Sequence, residues 1–360
     1  MKAIMLILTE NCNLACRYCY ECSENQNMTF QTAKEIIDDE MQNEIQEKFK
    51  IFFFGGEPFV NFEVLKQIYV YAEQFYSNRV EKYAVTTNGT LIHGPVREWL
   101  YEHRNRFEIT LSIDGTADMH NRNRLDKSGK GSFEQIDLDF FSKNWTDCTV
   151  KMTISPDTLL DFAKGIRYIE GLGFRCKANF ASGVDFKLDE NKNIILQNCM
   201  ELINYYSSNN QPLCYMLDLP LQSILVPLDK KFRYCGAGIE RRCYGKENQG
   251  WYPCQGLMPM SVKNRESLFK YENFSNGNVL ENSLCGSCSF VRICRTCYAM
   301  NYHSTGNVYQ PDKQMCMLNK ICMITSARIQ YNRLKNRGFI DKTMEAAIYM
   351  IAKELNDIFI

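Results

Sequence analysis

The sequence lacks an excess of charge of either sign. Its 360 residues include 42 lysines and arginines against 42 aspartates and glutamates, so no overall electrostatic field favours nucleic acid or an anionic membrane surface. It also lacks any stretch near the roughly 20 apolar residues that a membrane-spanning helix needs. These absences predict a protein that binds neither nucleic acid nor membrane, and whose substrate is neutral or is recognised locally.

A secretory signal is lacking as well. The first apolar stretch, Ala3 to Leu8, is too short for a signal peptide and runs straight into a cysteine-rich loop. What the sequence does have is 17 cysteines and 45% apolar residues. In a small secreted protein so many cysteines would indicate disulfides, but a 360-residue chain can bury a sizeable core without them. We therefore expect a reduced, cytoplasmic protein with one large domain and a smaller module.

Three cysteines follow the first apolar stretch at the spacing Cys12-x3-Cys16-x2-Cys19. Four-iron iron–sulfur clusters usually take four cysteine thiolates, so a compact run of three suggests a cluster with one iron open to a non-protein ligand. A zinc site and ordinary cytosolic thiols are the alternatives. Structural zinc favours Cys-x2-Cys pairs brought together from separate segments, which one short loop does not supply. The spacing therefore favours an iron–sulfur cluster.

This spacing resembles that of the radical S-adenosylmethionine (radical SAM) enzymes. The resemblance implies that S-adenosylmethionine binds the open iron, and that an electron from the reduced cluster cleaves it to give a 5′-deoxyadenosyl radical. In that case the cofactor generates the radical, while the protein binds the cofactor and excludes water from the site. By the same resemblance Tyr20, directly after the loop, is expected to contact the cofactor.

Short apolar runs alternate with amphipathic patterns over the first half of the chain, as in repeated βα units around a parallel sheet. The predicted strands are Ala3 to Leu8, Lys50 to Phe54, Lys82 to Thr87, Phe107 to Ile113, Cys148 to Ile154 and Phe174 to Phe180. Helices are predicted near Thr32 to Phe49, Asn61 to Ser77, Pro95 to Arg104, Ser132 to Lys143 and Pro156 to Glu170. Such units tend to close into barrels whose active site lies at the carboxyl ends of the strands. We predict an α/β fold, a partial (β/α)6 barrel of the TIM type.

The first long helix carries two local signals. Thr32 and Glu35 have capping-box spacing, although Thr29 could equally be the cap. Acidic and amide residues from Asp38 to Glu47 are interpreted as the solvent-facing side of this helix.

Glycines and polar residues follow the predicted strands, where a barrel would have its active site. Gly55-Gly56-Glu57-Pro58 follows the second strand, and its two glycines let the backbone approach a ligand closely or simply make a tight turn. By resemblance to the family, this element holds the amino group of S-adenosylmethionine. The residues after the third and fourth strands are turn formers by themselves. The resemblance makes four of them cofactor contacts: Thr87, Asn88, Ser112 and Asp114.

A basic segment, His120 to Arg124, follows the fourth strand. Without the resemblance it would be a solvated tail. By resemblance, Arg124 pairs with the carboxylate of S-adenosylmethionine, a bidentate task that suits the planar guanidinium. His120 is interpreted as a structural hydrogen-bonding residue rather than a base.

Beyond Leu228 the apolar periodicity fades and cysteines crowd the chain. Their paired Cys-x2-Cys spacings would serve zinc or iron, and the cluster loop at the start of the chain favours iron. The arrangement, with Gly250-Trp251-Tyr252-Pro253-Cys254, resembles the SPASM domain, which carries two auxiliary clusters in radical SAM enzymes that modify peptides and proteins. The resemblance implies one cluster bound by Cys235, Cys243, Cys254 and Cys297, and another bound by Cys285, Cys288, Cys294 and Cys316.

Two spacings depart from the SPASM pattern. Cys294 and Cys297 form a Cys-x2-Cys pair where Cys-x3-Cys is commoner, and the interval from Cys235 to Cys243 differs from the expected one. A first auxiliary cluster with four cysteines could only relay electrons, whereas without Cys243 an open iron could bind a substrate thiolate. Three other thiols could replace it: Cys199, Cys214 and Cys322.

Asp218 lies in an apolar run just ahead of the second group of cysteines. Desolvation would raise the pKa of its carboxyl and suit it as a general base near neutral pH. A helix N-cap is the equal alternative. The sulfatase-maturing relatives carry an aspartate in a similar context, used to take the proton from a substrate serine or cysteine, and by that resemblance Asp218 is the predicted catalytic residue.

We predict three domains. Residues 1–228 would form the radical SAM barrel, residues 229–318 the SPASM domain and residues 319–360 a helical extension. Asn319 to Leu334 and Asp341 to Leu355 have apolar residues at helical spacing and are expected to pack on the barrel, with Met344 and Met350 as core filler.

The resemblance implies an oxidoreductase with S-adenosylmethionine and three four-iron clusters, acting on a ribosomally made precursor peptide. We predict that it joins a cysteine sulfur to a peptide carbon as a thioether, because Cys294-Arg295-Thr296-Cys297-Tyr298 looks like the short maturases of cysteine-repeat peptides. The alternatives are formylglycine formation on a sulfatase, peptide epimerisation and, in a different class, a non-catalytic metal-binding or electron-transfer protein. The expected partners are an electron donor of the flavodoxin or ferredoxin type and the precursor peptide. Because the first strand begins almost at Met1, leader recognition would come from the barrel rim, the last helices or a separate leader-binding protein.

Overall fold

The computed structural model describes residues 1–21, 25–43, 48–227, 235–245, 250–261, 285–308, 310–338, 341–355 and 358. Among these residues, no helix has both the length and the apolar character needed to cross a membrane. The predicted domain boundary at residues 228 and 229 falls outside the described ranges. A single helix runs through the second predicted boundary, at residues 318 and 319, and the three-domain division stays a prediction.

Seven strands form one sheet with the order β6-β5-β4-β3-β2-β1-β7. They are β1 (Lys2–Thr9), β2 (Phe49–Gly55), β3 (Val80–Thr87), β4 (Phe107–Ser112), β5 (Thr149–Ile154), β6 (Arg175–Phe180) and β7 (Arg241–Tyr244). Strand β1 pairs in parallel with both β2 and β7, and β2–β3, β3–β4 and β4–β5 are parallel as well. The α/β fold and all six predicted strands are confirmed. Strand β7 was not predicted, because four residues without apolar alternation give no periodic pattern to detect.

Ten helices are described. They are α1 (Phe30–Asn43), α2 (Phe62–Tyr76), α3 (Gly94–Glu102), α4 (Ala117–Asn123), α5 (Leu138–Asn144), α6 (Phe162–Gly171), α7 (Leu188–Ser207), α8 (Tyr298–Thr305), α9 (Lys313–Arg337) and α10 (Lys342–Leu355). All seven predicted helices correspond to one of these, while α4, α7 and α8 were not predicted. The hydroxyl of Thr29 accepts a hydrogen bond from the amide of Thr32 (3.1 Å), so Thr29 is the cap that satisfies a free amide at the start of α1.

The described residues divide into two compact units. The first comprises residues 1–151, 171–175 and 236–276, and the second comprises residues 152–170, 176–235 and 277–360. In the first unit, the apolar run of β2 supplies a buried aromatic core. Phe53 stacks on Tyr83 and on Phe107, with ring centroids 6.1 and 6.2 Å apart. An apolar run without polar alternation is thus buried as expected for a strand covered on both faces.

An ion pair between Arg242 on β7 and Glu40 on α1 links these two elements of the first unit. The carboxylate of Glu40 is 4% exposed and accepts hydrogen bonds from Arg242 Nη1 (2.8 Å) and from the hydroxyl of Tyr244. The same guanidinium lies 5.3 Å from the ring of Trp251. The sequence predicted that Glu40 lies on the solvent-facing side of α1, and this prediction is wrong for Glu40. Its carboxylate is buried because the charge is paired with a residue about two hundred positions away in the chain, and a buried charge is tolerated only with such a partner.

The second unit has a separate core. Helix α9 packs against α7, and α10 packs against α9 and the turn at Leu221–Leu225. Phe290, Ile324 and Ile351 are buried in this core, and Met344 and Met350 pack against its edge. The two predicted C-terminal helices and the role of both methionines as core filler are confirmed.

Candidate active site

The cysteine loop follows β1 and is hydrogen-bonded to the segment that follows α4. The amide of Ala15 donates to the carbonyl of Leu125 (2.7 Å), and the amide of Arg17 donates to the carbonyl of Asn123 (2.9 Å). Leu14 and Asp126 form an antiparallel bridge. The carboxyl ends of β1 and β4, which are far apart in the sequence, thus meet at the cysteine loop.

The three thiols of the loop lie close enough to affect one another electrostatically. Burial raises the pKa of Cys12 to about 12, and the charges of Cys16 and Cys19 add to the effect. Burial likewise raises the pKa of Cys19 to about 11. Ligation to a metal requires the thiolate, so loading this loop would release protons.

The donor set fits the expected cluster. Three sulfur ligands on one loop, with Cys12 and Cys16 half-buried and Cys19 exposed, match a four-iron cluster that leaves one iron open. Within the part of the chain that the structure describes, no three His, Cys, Asp or Glu side chains gather around a point where a single metal ion could sit. In a four-iron cluster each thiolate binds a different iron, so the thiols need not converge on one point.

Gly55 and Gly56 are needed for a reason other than ligand approach. The amide of Gly56 donates to the carbonyl of Thr9 (3.0 Å). A Cβ atom on Gly55 would lie 2.1 Å from that same carbonyl oxygen, and one on Gly56 would lie 2.4 Å from the carbonyl oxygen of Asn11. The two glycines therefore allow the chain leaving β1 to pass directly against the end of β2, which places the cysteine loop.

The side chain of Glu57 joins the ends of β2 and β3. Its carboxylate is 1% exposed and accepts hydrogen bonds from the amide of Phe59 (3.2 Å), the hydroxyl of Thr87 (2.9 Å) and the amide of Asn88 (2.7 Å). Burial raises the pKa of this carboxyl to about 7, against the effect of the three donors. The contacts make Glu57 a structural link between two loops of the predicted site. Pro58, the last residue of this motif, is also buried and opens the short helical turn that follows.

Replacing Glu57 by glutamine is expected to lower the free energy of unfolding by about 1–3 kcal/mol, because one of the three donors would then face an amide nitrogen. Urea denaturation of the two proteins measures this difference. Glu63→Gln is the matched control, since the Glu63 carboxylate on α2 is 75% exposed and forms an ion pair with Lys66 on the same helix. Equal losses in the two variants would contradict a specific role for the buried carboxylate.

Asn88 extends this network to the cysteine loop. Its side-chain amide donates to Asn13 Oδ1 (2.9 Å) and lies 3.9 Å from Cys12 Sγ. The Asn13 amide in turn donates to the hydroxyl of Thr90 (2.7 Å). The structure thus brings the predicted residues Thr87 and Asn88 to the loop that carries Cys12. Tyr20 is half-buried on the same loop.

Asp114 and Arg124 form a buried ion pair beside the loop. Asp114 is fully buried and Arg124 is 7% exposed. Arg124 Nε and Nη2 lie 3.1 and 3.2 Å from the two carboxylate oxygens. The hydroxyl of Tyr18 donates to the same carboxylate, and the Arg124 guanidinium lies 5.5 Å from the Tyr18 ring. Ser112 is buried at the end of β4. The predicted Asp114 and Arg124 are thus brought together with Tyr18, which the sequence did not single out.

His120 is a structural residue, as predicted. Its buried ring accepts a hydrogen bond at Nδ1 from the amide of Asp114 (3.4 Å), and Nε2 lies 3.0 Å from the hydroxyl of Ser132. The Ser132 hydroxyl donates to the carbonyl of Arg124 (2.7 Å), which leaves Nε2 as the donor and the ring neutral. Burial, assisted by the charge of Arg124, lowers the pKa of His120 to about 3.

Two of the predicted ligands of the first auxiliary cluster lie at an antiparallel bridge in the first unit. The backbones of Cys243 and Tyr252 exchange two hydrogen bonds, at 2.9 and 2.8 Å, and Cys254 follows two residues after Tyr252. Cys243 is fully buried, and its thiol donates to Met5 Sδ at 3.4 Å among apolar side chains. This is the environment of an inert structural cysteine. Ligation of a cluster by Cys235, Cys243, Cys254 and Cys297 remains a prediction.

The four predicted ligands of the second auxiliary cluster all belong to the second unit. Burial raises the pKa of Cys294 to about 12, and the charges of three neighbouring thiols add to it: Cys285, Cys316 and Cys288. Cys316 lies in the first turn of α9, which Asp312 caps by accepting from the amide of Met315 (3.1 Å). Cys294 thus lies within electrostatic range of the other three thiols, and ligation of a second cluster by these four residues remains a prediction.

Asp218 does not have the surroundings that the sequence predicted. Its side chain is exposed, because the turn at this position directs Leu217 and Leu219 into the core. The short helical turn Leu221–Leu225 begins after Pro220, so Asp218 is not an N-cap either. The desolvation expected for a base is absent, and a catalytic role for Asp218 remains a prediction without that support.

Comparison with known proteins gives one family match and several relatives. The Radical SAM superfamily model matches residues 6–173. An uncharacterized protein of Methanocaldococcus jannaschii is 38% identical over 37% of this chain and 45% of its own length, so the match spans about half of that relative. The radical SAM cyclopropyl synthase TigE of Paramaledivibacter caminithermalis is 23% identical over 89% of this chain and 73% of its own. A cysteine-type anaerobic sulfatase-maturating enzyme of Clostridium perfringens is 24% identical over 80% of this chain and 85% of its own.

Two solved structures have the same fold. The structure of anSMEcpe with bound AdoMet covers 97% of this chain and 98% of its own, with a TM-score of 0.70 at 19% identity. Streptococcus suis SuiB bound to its precursor peptide SuiA covers 87% of this chain and 75% of its own, with a TM-score of 0.59 at 14% identity. Both comparisons agree with the parallel sheet and helices described above.

Proposed function

Because residues 6–173 match the Radical SAM superfamily model, we propose that this protein is an enzyme that modifies a peptide or protein by radical chemistry, and that it forms a thioether from a cysteine sulfur. The observation that carries the proposal is the cysteine loop at the end of β1, joined by hydrogen bonds to the loops after β2, β3 and β4. Cys12, Cys16 and Cys19 would hold a four-iron cluster, which with S-adenosylmethionine would supply the radical chemistry that removes a hydrogen atom from the substrate.

The chain's own residues have positioning roles in this proposal. Cys12, Cys16 and Cys19 hold the cluster. The amide of Leu14 lies 3.5 Å from Cys12 Sγ, and with Asn88 it provides N–H groups toward this ligand. Glu57 holds the loop after β2 against the loop after β3. These fixed contacts reduce the reorganisation needed when the cofactor binds.

The substrate class is supported by the relatives. The sulfatase-maturating enzymes act on a protein, and SuiB binds a precursor peptide. The finer proposal of a thioether is supported by Cys294-Arg295-Thr296-Cys297-Tyr298 and by the three thiols close to Cys294. In this reaction one hydrogen atom would go to 5′-deoxyadenosine and the substrate thiol would lose its proton. Cys285, Cys288, Cys294 and Cys316 would hold an auxiliary cluster able to accept the surplus electron left when the C–S bond forms.

Formylglycine formation is the second candidate. It is favoured by the similarity to the Clostridium perfringens enzyme over 80% of the chain, and it would use Asp218 as the base. Epimerisation would need an accessible cysteine to return a hydrogen atom. The spare thiols of Cys199, Cys214 and Cys322 are all buried, which speaks against them in that role.

The test is an anaerobic assay with two defined probes. We reconstitute the protein with iron and sulfide, add dithionite and S-adenosylmethionine, and follow 5′-deoxyadenosine by mass spectrometry. The probes are a synthetic sulfatase peptide with a target cysteine and the product of any small cysteine-rich reading frame beside the gene. A thioether appears as the loss of two hydrogen atoms with one fewer thiol open to alkylation. Formylglycine from cysteine appears as loss of sulfur and a new hydrazide-reactive aldehyde.

The expected iron content is about twelve atoms per chain, from three four-iron clusters. Reduction-dependent release of 5′-deoxyadenosine is expected even without substrate. An electron donor of the flavodoxin or ferredoxin type and a separate leader-binding protein are further proposed partners. Little iron, stoichiometric zinc and no cleavage of S-adenosylmethionine would overturn the enzyme proposal and favour a non-catalytic metal-binding protein.

A further inference from the structure

The segment around Cys16 is hydrogen-bonded to the segment around Arg124. Leu14 and Asp126 form an antiparallel bridge, Ala15 donates to Leu125 at 2.7 Å, and Arg17 donates to Asn123 at 2.9 Å. Residues 16 and 124 therefore lie between these two hydrogen bonds, on neighbouring stretches of backbone.

The guanidinium is fixed in this position. Two of its nitrogens are held by the carboxylate of Asp114, at 3.1 and 3.2 Å, and its plane lies near the Tyr18 ring. Tyr18 donates a hydrogen bond to that same carboxylate. A guanidinium has five N–H donors, so the ion pair leaves donors available on its other edge.

The charge of Arg124 also acts on Cys16. Burial raises the pKa of the Cys16 thiol, and the guanidinium of Arg124 opposes that rise, so the two side chains lie within electrostatic range of each other. Because Arg124 is 7% exposed, this charge is poorly screened by water and acts on Cys16 at close range.

We propose that Arg124 is a positioning residue that donates to Cys16 as a ligand of the radical SAM cluster and raises the reduction potential of that cluster, while Asp114 and Tyr18 hold the guanidinium in place. A reduced cluster carries one more negative charge than the oxidised one, so a buried cation and an N–H···S bond stabilise the reduced form. The electron comes from the flavodoxin- or ferredoxin-type donor, or from dithionite in the assay. This inference rests on the proposed function, which places the cluster on Cys12, Cys16 and Cys19.

The resemblance to the radical SAM family gave Arg124 a different role, pairing with the carboxylate of S-adenosylmethionine. The two roles make different predictions about the protein without the cofactor. A guanidinium that acts through Cys16 changes the cluster potential whether or not S-adenosylmethionine is bound. A guanidinium that acts only on the cofactor changes the affinity for S-adenosylmethionine and leaves the cofactor-free potential unchanged.

The test is a potentiometric titration of the reconstituted full-length protein, monitored by electron paramagnetic resonance without S-adenosylmethionine. The resonance of the radical SAM cluster is the one missing from a variant with Cys12, Cys16 and Cys19 replaced by alanine. We expect Arg124→Gln to shift the midpoint potential of this cluster to a more negative value. Arg124→Lys keeps the positive charge but loses the planar guanidinium with its several N–H donors, and it is expected to give a smaller shift in the same direction. Arg122→Gln, an exposed arginine on α4, is the matched control and is expected to leave the potential unchanged.

The outcomes separate this inference from the proposed function. If the wild-type protein takes up no cluster, the proposed function fails and iron analysis shows it. If the cluster is present and Arg124→Gln has the wild-type potential but weaker binding of S-adenosylmethionine, the inference is overturned in favour of carboxylate pairing. Should Arg124→Gln fail to retain the cluster, Arg124→Lys decides, since an unchanged potential in that variant also overturns the inference.

Discussion

Replacing Cys12, Cys16 and Cys19 by alanine is expected to reduce the release of 5′-deoxyadenosine to background and to remove about four of about twelve iron atoms per chain. The three thiols are the only cysteines proposed as ligands of the cluster with the open iron, so no partial function is expected. Iron analysis and mass spectrometry of the anaerobically reconstituted variant measure the two quantities. The auxiliary clusters are expected to remain, because their proposed ligands are at other positions.

Cys148→Ala is the matched control for this experiment. The Cys148 thiol is buried and lies 3.9 Å from the carbonyl oxygen of Ile109, and no cluster is assigned to it. We expect its iron content and its release of 5′-deoxyadenosine to equal those of the wild type. Retention of cleavage activity in the triple variant would remove the cysteine loop from the proposed mechanism.

The free energy of unfolding is expected to fall as the pH decreases below 6.5, in part because of His120. The pKa of this ring is lowered from 6.5 to about 3 in the folded protein. Below pH 6.5 the unfolded chain therefore binds a proton at His120 that the folded protein does not, and acid favours unfolding. Each pH unit is expected to cost about 1.4 kcal/mol, up to about 5 kcal/mol over the whole interval. Above pH 6.5 the ring is neutral in both the folded and the unfolded state, so it adds nothing to the pH dependence of the free energy of unfolding.

Urea denaturation between pH 7 and pH 5 measures this effect in wild type and His120→Gln. The variant is expected to have a shallower dependence on pH by about one proton, even if it is less stable throughout. His93→Gln, at an exposed position on the loop before α3, is expected to keep the wild-type slope. Parallel slopes for wild type and His120→Gln would show that this ring is charged in the folded protein, in conflict with its hydrogen bonds to Asp114 and Ser132.

The strands and the loop that carries Cys12, Cys16 and Cys19 could be predicted because their sequence patterns are local. Runs such as Ile51-Phe52-Phe53-Phe54 are apolar without alternation, and such a run has few stable alternatives to a strand buried on both faces. The Cys12, Cys16 and Cys19 spacing is likewise contained within eight residues. A pattern of this kind needs no knowledge of what packs against it.

The sequence alone could not reveal contacts between residues far apart in the chain. Strand β7 exists because it pairs with β1 and because Arg242 and Tyr244 reach Glu40. The exposure of Asp218 likewise depends on which neighbours enter the core, and an apolar sequence context does not determine the direction of one side chain.

The same division applies to the candidate active site. The sequence by itself determined that Cys12, Cys16 and Cys19 lie on one loop after β1 and that polar residues follow β2, β3 and β4. Only the tertiary structure decided that Glu57 links two of these loops and that Arg124 is held by Asp114 beside the cysteine loop. The reason is physical: a charged side chain is buried only where a partner of opposite charge or several hydrogen-bond donors meet it, and those partners come from other strands.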